Sequence, residues 1–414
     1  MIRESRAAGL SRRELMAGAA ASLALARPAL GQTGPQPESE PESALSADGY
    51  DAPAAWRQAA EALGGPVLID DVAIVRVAGT LWVRVRSRDG DFGAAYDNGR
   101  LLDSRSLAER RAFPSFLGQD ARRLPKLVDR VYRTPRSNYK FVGMPFWNGV
   151  ASFELAVLDL VGRRLSRPVA ELIGEPIRDR VPVYVTRLTR DTTADEEVRV
   201  VERLLAETGA RAVKLKIGGR MQNRPKDVER TNRLVPLARR VLGDDVEIFV
   251  DANGSYTERE AIRVGRMLED HQVGFFEEPC PWEEHDVTPR VADVLNVPVA
   301  GGEQDSSLPV WRWMIARRGF DLCQPDVYYC GGLFRSLRIA RWAAAAGLDV
   351  TPHSPKGGWK QHAMLSLAGV LPNLGPYQEC VAGPDIVDGY RKTPSGAGFD
   401  WPITDRELRD AKPA

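Results

Sequence analysis

A chain of 414 residues is longer than one small domain and suits a barrel with an accessory domain. Its 43% hydrophobic and 27% charged residues are those of a soluble globular protein, and a formal net charge of +1 gives no electrostatic reason to expect a nucleic acid partner. Past residue 30 no apolar run is long enough to span a bilayer. The four cysteines (Cys280, Cys323, Cys330 and Cys380) form no CxxC pair, so buried free thiols are expected rather than a zinc ribbon or redox motif.

Residues 1–32 do not read as part of a fold. Arg12-Arg13 stands before the apolar run Leu15–Ala26, and Ala24-Leu25-Ala26 is a small-x-small cleavage signal. That order predicts a twin-arginine signal peptide and a periplasmic location. Residues 33–65 are read as linker and short helix: Gly34–Pro53 is rich in Pro, Glu and Ser, and a helix is expected from Ala54 to Leu63.

Residues 66–180 are expected to form an α+β capping domain. Val67–Val77 and Thr80–Ser87 alternate apolar and polar residues with only Ala78-Gly79 between them, which predicts a tight hairpin. A third strand is expected at Phe92–Tyr96, and helices from Ser106 to Arg133 and from Ser152 to Arg164.

The rhythm changes over residues 181–380. Eight short β-rich runs recur: Val181–Thr186, Ala212–Ile217, Glu247–Ala252, Gly274–Pro279, Pro298–Glu303, Leu322–Val327, Asp349–Ser354 and Tyr377–Cys380. Their starts lie 24 to 35 residues apart, with helical stretches between, which is the length of a strand-helix unit. The α/β fold class is therefore a (β/α)8 TIM-type barrel behind an N-terminal α+β cap. Residues 381–414 are expected to return to the capping domain.

Polar residues close runs two to eight, where a barrel of this kind carries its active groups. Asp251, Glu277 and Glu303 stand 26 residues apart on three consecutive strands. Each alone could cap a helix. Together they would repel one another unless a hard divalent cation sat among them, and an oxygen-only donor set favours Mg2+ over zinc. Lys214 and Lys216 are two apart on one strand and so point the same way, where each is expected to disfavour the other's charge and make a better base. His353 closes run seven, and Asp326 on the neighbouring run could orient its imidazole. A base beside a carboxylate substrate and a metal to hold the enediolate form one chemical unit. A unit charge about 4 Å from a divalent ion gains on the order of 8 kcal/mol at an effective dielectric of about 20.

With these residues in place, the chain resembles the enolase superfamily, mandelate racemase subgroup, over about residues 66 to 390. Lys214-Leu215-Lys216 is similar to the family's KxK, and the resemblance implies that Lys216 is the base. Asp251, Glu277 and Glu303 resemble its three metal ligands, with the first Glu of Glu277-Glu278-Pro279 the ligand, and Asp326 with His353 its dyad. Ser152–Ala156 and Leu172-Ile173-Gly174 resemble its join between cap and barrel. Two features depart from the family. The hairpin at Ala78-Gly79 leaves no long lid loop, so Arg136–Trp147, with Tyr139, Lys140 and Phe146, is expected to close the site. Glu379 follows His353 by 26 residues, later than the resemblance implies for the family's electrophilic Glu.

The resemblance implies Mg2+-dependent removal of the proton next to a carboxylate, with dehydration of an acid sugar to a 2-keto-3-deoxy acid expected. Racemisation or epimerisation of a 2-hydroxy acid or amino-acid derivative is the alternative, and a non-catalytic periplasmic binding protein a weaker one. The expected partner is a small carboxylate, with no nucleic acid and no membrane contact beyond export, and the chain is expected to form a homo-oligomer.

Overall fold

The computed structural model describes residues 52–133, 138–141 and 143–414. The expected signal peptide, most of the linker and Arg136 lie outside them. No helix among the described residues is long and apolar enough to cross a membrane.

The first helix, Ala54–Ala62, is anchored by one residue. Trp56 is buried edge-on against Phe334 (5.4 Å between ring centres), and its indole N–H donates to the Arg122 carbonyl at 3.1 Å. Strands β1 (Ile69–Val77) and β2 (Thr80–Ser87) form the expected hairpin, with Val77 opposite Thr80. Both turn residues, Ala78 (φ 46°) and Gly79 (φ 80°), have left-handed backbones, as the twist of a two-residue hairpin requires. Strand β3 (Phe92–Tyr96) completes an antiparallel sheet.

One long helix covers that sheet. It was expected from Ser152 but runs Met144–Leu165, with Pro145 in its first turn, where proline's missing N–H costs nothing. Every residue from Phe146 to Gly162 is buried, because the helix is covered by the sheet on one side and by barrel helices on the other. It approaches β3 so closely that a Cβ at Gly93 would lie 2.2 Å from the Ala156 carbonyl oxygen. Asp159, fully buried in this helix, accepts hydrogen bonds from the amides of Ala94 and Phe399 (3.0 Å each) and pairs with Arg163 at 2.7 Å. The helical pattern expected over Ser106–Arg133 is present but broken: α, π and 3-10 turns run from Arg105 to Ser115, and a 3-10 turn at Ala121–Arg123 leads into the regular helix Leu124–Arg130. Pro114, Gly118 and Pro125 interrupt an otherwise helical pattern of apolar residues.

The second half is the barrel. Its strands are β4 (Arg180–Thr186), β5 (Ala212–Lys216), β6 (Glu247–Asp251), β7 (Phe275–Glu277), β8 (Val299–Gly301), β9 (Leu322–Cys323), β10 (Asp349–Val350) and β11 (Gln378–Cys380). All are parallel to their neighbours in chain order, and β11 pairs with β4. Closure between β10 and β11 falls just before β11: the Val350 amide donates to the Asn373 carbonyl and Gly375 to Val350, both at 2.9 Å. Helices alternate with the strands. Two of them, Ala194–Thr208 and Glu258–Asp270, open on reciprocal Thr/Glu caps that satisfy otherwise orphaned N–H groups. The lower interior is an aromatic floor of Tyr184, Phe249, Phe275 and Tyr377, with Phe249 and Phe275 stacked at 4.1 Å.

After β11 the chain forms β12 (Tyr390–Lys392), antiparallel to the start of β4. It then reaches the cap. Arg84 donates to the carbonyls of Leu408 (3.0 Å) and Ala411 (3.1 Å), and the Ala414 amide donates to Ile74 at 2.8 Å.

A buried carboxyl joins the cap's long helix to the barrel. Glu154 accepts from the Phe334 amide at 3.1 Å, at the start of helix Leu333–Ala345, and Gly332 (φ 114°) leaves it room. Burial pushes this carboxyl up to about 8. A raised folded-state value means that the folded protein holds a proton the unfolded chain releases near pH 4.5. That stabilisation is full below pH 4.5 and is lost as pH rises through about 8, by up to ~1.4 kcal/mol per pH unit. Urea unfolding of wild type and Glu154→Gln between pH 6 and pH 9 checks this: the wild type should lose more stability than the variant over that range. Parallel losses would refute it.

Candidate active site

The polar groups stand at the carboxyl ends of the strands, directly above the aromatic floor. Strand alternation arranges this: Phe249 and Asp251, Phe275 and Glu277, and Lys214 and Lys216 are each two residues apart and share the inward side. Register aligns them, with Lys216 opposite Asp251 and Asp251 opposite Glu277. The residues just past the two acids, Asn253 (φ 44°) and Glu278 (φ 42°), both have left-handed backbones although neither is glycine. Such strain persists where surrounding contacts enforce it.

The groups form one connected network. The Lys214 ammonium donates to both oxygens of Glu277 (2.9 and 2.7 Å) and pairs with Glu379 at 2.8 Å. Gln324 adds a donor to Glu277 at 2.8 Å. Lys216 pairs with Asp251 and lies 3.3 Å from the Asn253 side-chain oxygen. The Asn253 amide nitrogen donates to Asp251 (3.1 Å) and Glu278 (3.2 Å), and its oxygen accepts from Arg190 at 3.0 Å. On the other side, His353 Nδ1 faces Asp326 at 2.8 Å, and Nε2 faces Glu303 at 2.9 Å and Glu379 at 3.8 Å. The amides of Tyr328 (2.8 Å) and Tyr329 (3.1 Å) fix Asp326, and Ser354 donates to Glu379 at 2.9 Å.

All eight side chains singled out from the sequence (Lys214, Lys216, Asp251, Glu277, Glu303, Asp326, His353 and Glu379) are therefore at one barrel mouth and buried. Glu379, whose place in the chain departs from the family, lies between Lys214 and His353 and faces both. Arg190, Asn253 and Gln324 were not assigned roles. Asn253 and Gln324 close strand runs, which was a usable signal; Arg190 sits in a loop with no pattern around it.

One expectation is corrected, that Lys216 weakens Lys214 as a cation. Burial does oppose its charge, but Glu277 and Glu379 outweigh burial and hold the ammonium well above the usual lysine range. It acts as a fixed positive charge. The expected closing segment falls partly outside the described residues, at 136–137 and 142. Within it Trp147 is buried, with the Arg335 guanidinium 3.5 Å from its ring and Tyr132 at 5.8 Å. A large aromatic at the start of the long helix is worth more as packing than as a lid. The cap residues that reach the mouth beside His353 are Tyr96 and Asn98.

Burial and crowding set the remaining charges. Burial, together with Asp251, Glu379 and Glu303, pushes the Glu277 carboxyl up to about 8 despite Lys214. Burial and the same kind of crowding push Glu278 well above the usual carboxylate range. Burial opposes the charge of Glu379, but Lys214 and His353 hold it down to about 2. Burial likewise opposes charge on His353, yet Glu303 and Glu379 with the Asp326 bond raise it well above the usual histidine range.

Among the described residues no three His, Cys, Asp or Glu side chains are already gathered as a cation cage. Asp251, Glu277 and Glu303 are turned onto Lys216, Lys214 and His353 instead. The donor set nevertheless fits a hard divalent cation. It is made of oxygen alone, burial and neighbouring acids push one of its members, Glu277, and the adjacent Glu278 toward protonation, and among the described residues Glu278 keeps a buried oxygen without a hydrogen-bond partner.

Residues 196–399 match the family model described as Enolase C-terminal domain-like. A solved structure from Roseobacter denitrificans, a candidate racemase, is 34% identical with a TM-score of 0.77, covering 83% of this chain and 98% of that one. The chain belongs to the enolase superfamily. Another superfamily structure, a mandelate racemase/muconate lactonizing protein from Paracoccus denitrificans complexed with magnesium, is 26% identical, with a TM-score of 0.74 over 83% of this chain and 98% of that one. Among curated proteins, the arabinonate dehydratase of Saccharolobus solfataricus is 31% identical over 62% of this chain and 67% of its own length.

Lys214 tests the network without reference to any reaction. Removing one partner from a buried ionic cluster costs about 3–5 kcal/mol, because the other charges are left uncompensated. Lys214→Met should lower the unfolding free energy of metal-stripped protein by that amount in urea at pH 8. A loss below about 1 kcal/mol would mean that the cluster does not depend on this cation.

Proposed function

We propose that this enolase-superfamily chain is a Mg2+-dependent acid-sugar dehydratase. The observation that carries the reading is the pairing of a lysine and a histidine about a buried group of acids at one barrel mouth: Lys216 on Asp251 and His353 on Glu303. The arabinonate dehydratase relative supports the substrate class, and the magnesium-complexed neighbour supports the metal. Asp251, Glu277 and Glu303 would hold Mg2+. Bound there, the metal supplies the positive charge that stabilises the enediolate of the substrate's carboxylate.

The chain's own groups do the proton chemistry. Lys216 is paired with Asp251, and with Asp251 engaged as a ligand the lysine amine would be free to face the substrate. Lys216 takes the α-proton while His353, held as an imidazolium by Glu303, Glu379 and Asp326, gives a proton to the departing β-hydroxyl, or a neutral His353 takes the α-proton and passes that proton on to the hydroxyl; the hydroxyl leaves as water, and the enol product tautomerises to a 2-keto-3-deoxy acid. Lys214 and Glu379 stay charged and fix Glu277 and His353 in place. A second reading, racemisation or epimerisation with the two bases on opposite faces, is favoured by the candidate racemase structure.

The two reactions separate by NMR in D2O with acid-sugar substrates. EDTA should abolish turnover and Mg2+ restore it; full activity of metal-stripped protein would remove the metal assignment. For a dehydratase, removing the initiating base by Lys216→Ala or His353→Asn should lower exchange of the α-proton by at least ~100-fold, and removing the acid should leave exchange without loss of water. A racemase would keep exchange of one enantiomer in each variant. Wild-type rates in both variants would end the enolisation mechanism altogether.

We also propose that residues 1–32 direct the folded protein to the periplasm. Support comes from Arg12-Arg13 ahead of the apolar run Leu15–Ala26. With both arginines changed to lysine, the precursor should stay in the cytoplasm; normal periplasmic delivery would count against a twin-arginine signal.

A further inference from the structure

The mechanism above leaves a cleft beside His353 without a use. Its walls include Tyr328 and the paired Asp326 and His353 from the barrel loops, Tyr96 and Asn98 from the cap, and Lys356 and Lys360 from the segment after β10. Three cations of the mouth are matched by acids, Lys214 by Glu277 and Glu379, Lys216 by Asp251, and His353 by Asp326 and Glu303, and Arg190 is held by the Asn253 side chain and by backbone carbonyls. Lys356 and Lys360 are not matched by acids. Among the described residues the Lys356 ammonium donates only to the Asn98 carbonyl, at 3.4 Å. Lys360 lies 5.8 Å from the Trp359 ring centre. Among the described residues no carboxylate pairs with either lysine. The Tyr328 hydroxyl on the same wall is buried and has no hydrogen-bond partner.

A substrate with one carboxylate spends it at the metal-binding acids. Two further positive charges and an unsatisfied hydroxyl, lining the space next to the proposed acid, then face only neutral hydroxyls. Charge-assisted hydrogen bonds are about twice as strong as neutral ones, and a buried donor left unmatched carries a penalty. The arrangement therefore discriminates by charge at the substrate's far end.

We infer that the cleft between Asn98, Tyr328, Lys356 and Lys360 is a subsite for a second anionic group, so that the preferred substrate is an acid sugar charged at both ends. This inference rests on the dehydratase reading for its substrate class. Lysine ammonium groups hold a carboxylate or a phosphate as point charges, so the two sources are distinguished by experiment.

The test is binding without turnover. Full-length Mg2+-loaded Lys216→Ala protein is titrated by calorimetry with galactonate, galactarate and 6-phosphogalactonate. Galactarate, 6-phosphogalactonate or both should bind roughly 10- to 100-fold more tightly than galactonate, and the better one identifies the anion. Adding Lys356→Met with Lys360→Met should remove that preference and leave galactonate affinity unchanged; Lys356→Arg, which keeps the charge, should preserve it. Equal affinity for all three acids, binding by none, or a preference that survives the double substitution overturns the subsite. Loss of affinity for all three acids together also overturns it, since a structural role would act in that way. If wild-type protein exchanges the α-proton of no acid sugar in D2O, the dehydratase reading falls, while the binding comparison still decides the cleft.

Discussion

The site is governed by a shortage of positive charge. Asp251, Glu277, Glu278, Glu303, Asp326 and Glu379 are all buried at one barrel mouth, against Lys214, Lys216 and His353. In a medium of low dielectric such a surplus of acids is costly, and burial together with this crowding displaces Glu277 and Glu278 upward. Asp251, Glu303, Asp326 and Glu379 each have a cation on them. The need for a further cation is thus a property of the fold itself, fixed by which side chains the strands bring inward.

Around that centre the architecture divides its labour. The aromatic floor of Tyr184, Phe249 and Phe275 excludes water beneath the acids and supplies the packing that a polar layer cannot. The cap is tied to the barrel by buried polar clips. Asp159 holds β3 and the returning chain near Phe399, and Glu154 holds the start of a barrel helix. Both clips lie in the long helix Met144–Leu165, which explains why that helix is buried on nearly every side. The cap therefore sits at a fixed height over the mouth, where Tyr96 and Asn98 can wall the cleft beside His353.

Much of this was legible in the sequence because it depends on short-range pattern. The eight-fold rhythm of β-rich runs gives the barrel, and a two-residue gap at Ala78-Gly79 gives the hairpin. Acids two residues past an apolar or aromatic position announce that they share a strand's inward side. What was not legible depends on distant partners or on local interruptions. The repulsion between Lys214 and Lys216 is visible in three adjacent letters, but the acids that reverse its effect arrive from β7 and β11. The segment after Ser106 has helical spacing of apolar residues, yet Pro114, Gly118 and Pro125 divide it. Trp147 has the composition of a lid residue and the packing of a core residue, and only the contact with Arg335 decides between them. Arg190 bonds the Asn253 side chain and the carbonyls of Ile217 and Gly218 from a loop, where no periodicity marks it.

Glu379 faces Lys214 on one side and His353 on the other. A single carboxylate shared in this way makes the two sides of the mouth electrically one body. Replacing the histidine with a neutral group would change the balance at Lys214 and, through it, at Glu277. Stepwise replacement of the inner groups is thereby resisted, since each change unsettles the next. The rim residues Tyr96, Asn98, Lys356 and Lys360 belong to no such chain of ion pairs. A change at one of these rim positions would therefore alter what the mouth admits while the inner charges stay fixed.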